Sequence, residues 1–178
     1  MCYIHHNPDL VTYSIVGDNF RDCRIALFCD ADFAGDKGDA KSTSGTILAI
    51  VGPSTFIPIS TISRKQGAVS LSTCEAEVIA LIGGLKEEAL PFMDLWESIP
   101  GEGQLSSTIT VLEDNQSTII VANKGYSKQL RHLRRTHRVS LSWLSETIRD
   151  NSCRICIVPP TCRLPIYTPR LSPMRKVL

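Results

Sequence analysis

The chain has 178 residues, 43% of them hydrophobic and 21% charged, which is enough to build one compact domain, alone or with a tail. Its formal net charge of +1 hides an asymmetry, because residues 1–120 carry seven Lys or Arg and sixteen Asp or Glu, whereas residues 121–178 carry twelve and two. This division predicts an acidic part that collects metal ions beside a basic part that faces a polyanion. No apolar stretch approaches the roughly 20 residues that span a bilayer, so we expect a soluble protein without membrane partners.

The first half of the chain reads as a lead-in followed by three strands. Residues 1–22 have little periodicity, an apolar run at 23–30 ends at Asp30, and two more strands are predicted at 44–51 and 55–62. The short turns between them favour an antiparallel meander. Pro58 predicts that the third strand lies at a sheet edge or contains a bulge, because proline cannot donate to the hydrogen-bond ladder.

The second half of the chain changes to a helical period. Apolar residues recur at helical spacing from Cys74 to Leu85, with Ser72 or Thr73 as N-cap and Pro91 expected to kink or end the helix. Further elements are predicted in chain order: a strand at 108–112, a helix at 115–122, a basic stretch at 124–138, a helix at 138–149 and a strand at 153–158. The predicted fold class is therefore α/β, with a mixed sheet that is antiparallel at first and parallel where helices cross over.

Three carboxylates occupy positions where acids are costly unless something compensates them. Asp30 and Asp114 each close an apolar run, and Glu77 lies within the apolar-periodic helix. Adjacent parallel strands would bring Asp30 and Asp114 together, and a helix packed on the sheet would add Glu77. Such oxygen ligands suit Mg²⁺ or Mn²⁺, and a pair of ions about 4 Å apart clamps the reacting oxygens of a phosphodiester. Taken singly, each acid is also explained as a surface or capping residue, Asp114 above all as a helix N-cap.

Four sequence blocks carry a family resemblance over residues 23–125. The blocks are FCDADFAGD with KSTSG (residues 28–36 and 41–45), ISRKQ (62–66), SLSTCEAE (70–77) and EDNQS (113–117). They resemble, in order and spacing, the ribonuclease H domain of copia-type retrotransposon polyproteins, within the reverse transcriptase and ribonuclease H region. The resemblance implies a ribonuclease H-like fold, a five-stranded mixed sheet flanked by helices, over residues 23–159. Residues 1–22 would then be a remnant of the reverse transcriptase connection, and residues 160–178 an irregular tail rich in Pro and Arg.

The resemblance also implies an activity, namely hydrolysis of the RNA strand of an RNA–DNA hybrid by two Mg²⁺ ions held by four acids. It assigns Asp30, Glu77 and Asp114 as catalytic and metal-binding residues. Within the same motifs, Asp32 is expected to be a turn residue, and Glu75 to face solvent or the helix N-terminus.

The fourth acid of the family has no counterpart in this sequence. Pro165 stands where the resemblance places an aspartate, and no Asp or Glu follows Asp150. The sequence therefore predicts a ribonuclease H-type endonuclease that is weakened or inactive, with a tail that reflects sequence decay or an altered reading frame.

A basic segment follows the fourth strand and its helix. Its cationic side chains would neutralise phosphates of an RNA–DNA hybrid, which proteins recognise largely by shape and 2′-hydroxyls. The alternative is a solvated loop, and His132 and His137 are expected at the surface, although a role in proton transfer is open to them. The predicted nucleic-acid-binding residues are Lys124, Lys128, Arg131, Arg134, Arg135 and Arg138.

Two other functions remain open from the sequence. Transposases and integrases gather carboxylates on a similar sheet, but the order Asp, Glu, Asp favours the ribonuclease. A catalytically inert nucleic-acid-binding remnant of a retroelement polyprotein is the non-enzyme alternative, and other parts of such a polyprotein are candidate partners. The seven cysteines are irregularly spaced, so we expect a reducing intracellular compartment, cytoplasmic or nuclear, and buried thiols rather than a zinc site at Cys153 and Cys156.

Overall fold

The computed structural model describes residues 13–36, 38–98 and 106–158, and the first half of this chain is an antiparallel meander. Three strands form it: Arg24–Asp32 (β1), Thr43–Val51 (β2) and Phe56–Lys65 (β3). β1 pairs with β2 over its whole length, and β2 pairs with β3. The meander was predicted, but β1 extends two residues beyond the predicted end at Asp30, because Ala31 and Asp32 continue the ladder with β2.

Pro58 has both of the consequences expected from the sequence. β3 is an edge strand, since the strand order of the sheet is β3-β2-β1-β4-β5. The register between β2 and β3 also shifts beside Pro58, where Leu48 pairs with Ser60 but Ala49 pairs with Pro58. The ladder thus accommodates a residue that cannot donate a hydrogen bond.

The second half of the described chain alternates helices with two further strands. These elements are Thr73–Gly84 (α1), Leu90–Glu97 (α2), Ser106–Glu113 (β4), Gln116–Lys124 (α3), Leu133–Thr136 (α4), Leu141–Arg149 (α5) and Cys153–Ile157 (β5). β4 runs parallel to β1, and β5 runs parallel to β4. The predicted fold class is confirmed, because three antiparallel strands are followed by parallel strands that helices connect.

A π-helical turn separates α1 from α2. It spans Leu85–Ala89, immediately before Pro91 in the first turn of α2. Pro91 lacks the N–H that would bond to the carbonyl of Glu87, four residues earlier, and the wider turn accommodates this missing bond. The helix is interrupted close to Pro91, as predicted, but the chain continues helically to Glu97.

The main core lies between α1 and the sheet. α1 packs against β1 and β2, and Ile25, Leu27 and Leu48 from the strands meet Val78 and Leu81 from the helix, all of them at most 1% exposed. At Gly84 the helix approaches the sheet so closely that a Cβ atom would lie 2.8 Å from Cγ2 of Thr46 and 3.3 Å from a methyl carbon of Leu27. This glycine allows the contact.

We expect the two neighbouring glycines of α1 to respond in opposite directions to alanine. Gly84→Ala should lower the free energy of unfolding by about 1–3 kcal/mol, because the new methyl group overpacks the core. Gly83→Ala is the matched control, since a Cβ at Gly83 meets no atom within 4 Å. It should raise stability by about 0.5–1 kcal/mol through helix propensity alone. Urea unfolding measures both, and equal stabilisation by the two substitutions would contradict the tight approach at Gly84.

Residues 13–22 of the predicted lead-in contact the domain. Ile15 forms an antiparallel bridge with Phe56 at the free edge of β3, and the Phe20 ring stacks on Trp96 of α2 with centroids 5.2 Å apart. Residues 1–12, the predicted tail at 160–178 and Pro159 lie outside the described residues. Within the described ranges, no helix combines the length and the apolar character needed to cross a membrane.

Candidate metal centre and basic surface

Asp30 and Asp114 are carried to the same edge of the sheet by the parallel pairing of β1 and β4. In this register Phe28 is opposite Leu112, so the two aspartates follow at matching positions two residues later. Both are exposed. This arrangement agrees with the expectation that neighbouring parallel strands bring the two aspartates together.

Glu77 is placed by the start of α1. The Ser72 side chain caps the helix by accepting a hydrogen bond from the Glu75 N–H at 3.2 Å, which fixes where the helix begins. Glu77 then falls on the face turned to the sheet and is 6% exposed. The backbone N–H of Ala31 donates to its carboxylate, so β1 holds the helix acid in place.

Glu113 is a second buried acid at this edge, beside Glu77, and it is not among the residues predicted from the sequence. It is 0% exposed because it continues the alternation of Ile109 and Val111, both fully buried, on the core side of β4. One carboxylate oxygen from each of Glu77, Glu113 and Asp114 lies within 4.8 Å of the others, and we call these three residues the acidic cluster. Asp30 lies outside this tight group but close enough to act on it electrostatically.

The electrostatics of the acidic cluster are those of a site short of positive charge. Burial, together with repulsion from the carboxylates of Glu113, Asp30 and Asp114, raises the pKa of Glu77 to about 9. Burial and the carboxylates of Asp114 and Asp30 raise the pKa of Glu113 to about 7, against hydrogen bonds from the backbone of Asn115 and Asp114 that lower it. Both groups would give up their protons more readily beside a cation.

The donor atoms of the acidic cluster fit a hard divalent cation. Oε2 of Glu77 and Oε2 of Glu113 are buried and have no hydrogen-bond partner within the described part of the chain. Two buried and uncompensated carboxylate oxygens are costly unless a cation neutralises them. All three donors of the cluster are carboxylates, which suits Mg²⁺ or Mn²⁺. The assignment of Asp30, Glu77 and Asp114 as metal ligands and catalytic residues stays a prediction.

The neighbouring thiols do not add soft ligands to this centre. Burial, with repulsion from Glu113 and Glu77, raises the pKa of Cys29 well above its ordinary value, and burial raises that of Cys74. Among the described residues, the side chains close enough to share a metal ion include neither of these thiols. At the predicted CxxC, Cys153 is buried with its pKa raised to about 11 by burial, and Cys156 is half-buried. The expectation of buried or half-buried thiols there is confirmed.

A second cluster joins the basic segment to α1. Oε2 of Glu75 accepts the Leu71 N–H at 3.0 Å, so Glu75 lies at the helix N-terminus, the second of the two places expected for it. Oε1 of Glu75 lies 3.0 Å from Nε2 of His132 and 3.7 Å from Nε2 of His137. Glu75 is 1% exposed, and the His137 side chain is 4% exposed. The prediction that His137 lies at the surface was therefore wrong, whereas the His132 side chain is 32% exposed.

All six predicted nucleic-acid-binding residues are exposed. The segment that carries them is attached to the domain by Leu130, Leu133 and Val139, which are buried in the core. Because Glu75 precedes Glu77 by two residues on α1, its histidine contacts also place this segment near the acidic cluster. We call the six residues the basic surface: Lys124, Lys128, Arg131, Arg134, Arg135 and Arg138.

The chain is similar in sequence to a retrotransposon protein. It is 31% identical over 129 residues to the retrovirus-related Pol polyprotein from transposon TNT 1-94 of Nicotiana tabacum, a match that covers 72% of this chain and 9% of that protein. The chain thus spans about a tenth of the length of this curated relative. No protein-family model matches the sequence.

Among solved structures, the chain shows limited similarity to two ribonucleases H. The crystal structure of ribonuclease H1 from the halophilic archaeon Halobacterium salinarum is 18% identical, with 77% of this chain and 86% of that chain covered and a TM-score of 0.48. The crystal structure of LC11 ribonuclease H1, isolated from compost, in complex with an RNA/DNA hybrid is 16% identical, with 77% and 86% covered and a TM-score of 0.43. The chain therefore has the mixed five-stranded sheet that the ribonuclease H-like fold implies, and it is similar in sequence to part of a retrotransposon Pol polyprotein.

Proposed function

We propose that this domain binds an RNA–DNA hybrid and hydrolyses its RNA strand, with Mg²⁺ or Mn²⁺ at Asp30, Glu77 and Asp114. One observation carries the proposal. The buried carboxylates of Glu77 and Glu113, each with an oxygen that has no hydrogen-bond partner among the described residues, lie beside Asp114 at one edge of the parallel part of the sheet. The order of the acids along the chain and the retrotransposon relative support a ribonuclease over other nucleases that gather carboxylates on a sheet.

Each acid has a distinct task in this proposal. Glu77 is buried and accepts a hydrogen bond from the Ala31 N–H, so it would form the inner wall of the centre. Asp30 and Asp114 are exposed, so they face the side from which a phosphodiester approaches. Bound divalent cations would supply an activated water and stabilise the leaving oxygen. In the metal-free protein Glu77 is protonated at neutral pH, because its pKa is raised to about 9. It would have to lose this proton to bind a cation.

The basic surface provides the other half of the proposed function. Its exposed cations would contact phosphates and would hold a hybrid irrespective of base sequence. Residues 124–138 contain a single Phe, Tyr or Trp, which is Tyr126 and is 56% exposed. Because base stacking needs several aromatic rings, this composition favours contact with the phosphate backbone. Other segments of a retroelement polyprotein are proposed as further partners, because the Pol relative is much longer than the matched region.

Neutralising four cations of the basic surface should weaken hybrid binding and its dependence on salt. For the variant with Arg131, Arg134, Arg135 and Arg138 all changed to Gln, we expect the slope of log affinity against log salt to become shallower by about 3–4, since each lost phosphate contact removes about 0.9. The double variant Arg149→Gln and Arg154→Gln is the control, because these exposed cations lie outside the basic surface. Filter binding to a labelled hybrid measures both, and unchanged binding by the fourfold variant would refute the nucleic-acid role.

The nuclease itself is tested with a labelled hybrid in Mg²⁺ and in Mn²⁺. We expect slow cleavage of the RNA strand, because no acid follows Asp150 in the sequence. Asp114→Asn should abolish it, since an exposed ligand is lost while the fold keeps its shape. Robust cleavage would show that the site is not weakened. Binding without cleavage in either ion would assign the inert nucleic-acid-binding alternative, which the missing acid favours.

A further inference from the structure

We infer that Glu113 is a ligand of the metal centre and serves as its fourth carboxylate. This inference rests on the proposed function, because it concerns the same centre. It adds a residue that the family motifs did not assign, and it changes the expected capacity of the site.

Within the described part of the protein, one carboxylate oxygen of Glu113 accepts a hydrogen bond and the other has no partner. Its Oε1 accepts the Asn115 N–H at 3.1 Å, which fixes the carboxylate plane at the end of β4. Its Oε2 is fully buried and has no hydrogen-bond partner in the described part of the protein. The carboxylate lies within the 4.8 Å group formed with Glu77 and Asp114.

A structural role does not explain why this carboxylate is buried. The N-cap of α3 is Asn115, whose side chain accepts hydrogen bonds from the Ser117 and Thr118 N–H groups. Glu113 is therefore not required to cap that helix. None of the salt bridges among the described residues includes Glu113. A cation between Glu77 and Glu113 would compensate both buried oxygens at once.

Glu113 also raises the number of carboxylates at the proposed centre from three to four. Asp30, Glu77 and Asp114 are three carboxylates, and the sequence contains no Asp or Glu beyond Asp150 to supply another. Glu113 contributes the additional oxygen from β4 itself, one residue before Asp114. The centre then contains four carboxylates without any contribution from the tail.

The test measures binding of Mn²⁺ alone, by calorimetry and by water-proton relaxation, with no nucleic acid present. We expect Glu113→Gln to weaken Mn²⁺ binding at least tenfold and Glu88→Gln to change it less than twofold. Glu88 is the matched control, because it is also a buried glutamate with one unpartnered oxygen, but it accepts a hydrogen bond from Thr46 and lies outside the acidic cluster. Urea unfolding of each variant verifies that its fold is retained. If Glu113→Gln does not fold, Glu113→Asp replaces it, and a tenfold loss is again expected because the shorter side chain withdraws the donor oxygen.

The remaining outcomes separate this inference from the proposed function. If Glu77→Gln and Asp114→Asn weaken Mn²⁺ binding while the Glu113 variant does not, Glu113 is not a ligand and the metal centre stands without it. If the wild-type protein binds no Mn²⁺, or if none of these substitutions alters binding, the proposed metal centre is overturned together with this inference. Loss of Mn²⁺ affinity in the Glu113 variant, with the Glu88 variant unchanged, supports both.

Discussion

Glu77→Gln is expected to stabilise the metal-free protein at pH 8 by roughly 2–5 kcal/mol and to remove its stabilisation by divalent cations. At this pH the folded wild type holds a proton on Glu77, because the pKa of that buried carboxyl is about 9, whereas the unfolded chain leaves it ionised. Glutamine has the shape of the protonated acid and needs no proton. The same substitution removes a charge that a bound cation requires.

The sign of the pH dependence follows from this raised pKa. Between about pH 4.5 and about 9, the folded metal-free protein binds one more proton at Glu77 than the unfolded chain does. Stability therefore decreases as the pH rises through this window, by up to about 1.4 kcal/mol per pH unit for one such group. Glu113 adds a contribution of the same sign between about pH 4.5 and about 7.

Unfolding by urea at pH 5, 7 and 9, with EDTA or with Mg²⁺, measures these effects. The wild type should lose stability with rising pH in EDTA and recover much of it in Mg²⁺, whereas Glu77→Gln should show a shallower slope and no recovery. Glu146→Gln is the control, because this exposed glutamate of α5 lies outside the acidic cluster. A wild-type slope that Glu77→Gln leaves unaltered would contradict the pKa assigned to Glu77.

The positions of Asp30, Glu77 and Asp114 were predictable because each depends on a local pattern. One apolar run is followed directly by Asp30, a second is followed by Glu113 and then Asp114, and one helical period contains Glu77. The parallel pairing of the two strands then brings the ends of the runs together. Glu113 was overlooked because the predicted strand ended at Leu112. Continuing the two-residue alternation from Ile109 and Val111 by one step would have identified it as a buried acid.

The histidine cluster was not predictable in the same way. Glu75 and His132 are 57 residues apart in the sequence, and no periodic pattern connects them. His137 lies in a run of charged residues, where local composition indicates a solvated loop. Its burial depends on how the segment after α3 returns across α1, and this is tertiary information that a single sequence does not contain.

The Glu75 contacts lead to the second large expected effect. Glu75→Ala should lower the free energy of unfolding by about 2–4 kcal/mol, because it removes the acceptor for the Leu71 N–H and leaves Nε2 of His137 buried without its carboxylate. Glu75→Gln should cost less, since the amide oxygen still accepts from Leu71. For comparison, Glu87→Ala removes an exposed ion pair with Arg64 and should cost less than about 1 kcal/mol.

Glu75→Ala also tests whether the contacts of Glu75 with His132 and His137 position the basic surface. If Glu75 holds the segment against α1, Glu75→Ala should weaken hybrid binding under conditions in which the protein is still fully folded, although Glu75 carries a negative charge. Simple electrostatics predicts the opposite, since removing an acid near a polyanion site should strengthen binding. Filter binding at fixed salt, with folding verified by circular dichroism, therefore distinguishes the two. Tighter binding by Glu75→Ala would show that the basic surface keeps its arrangement without the buried glutamate.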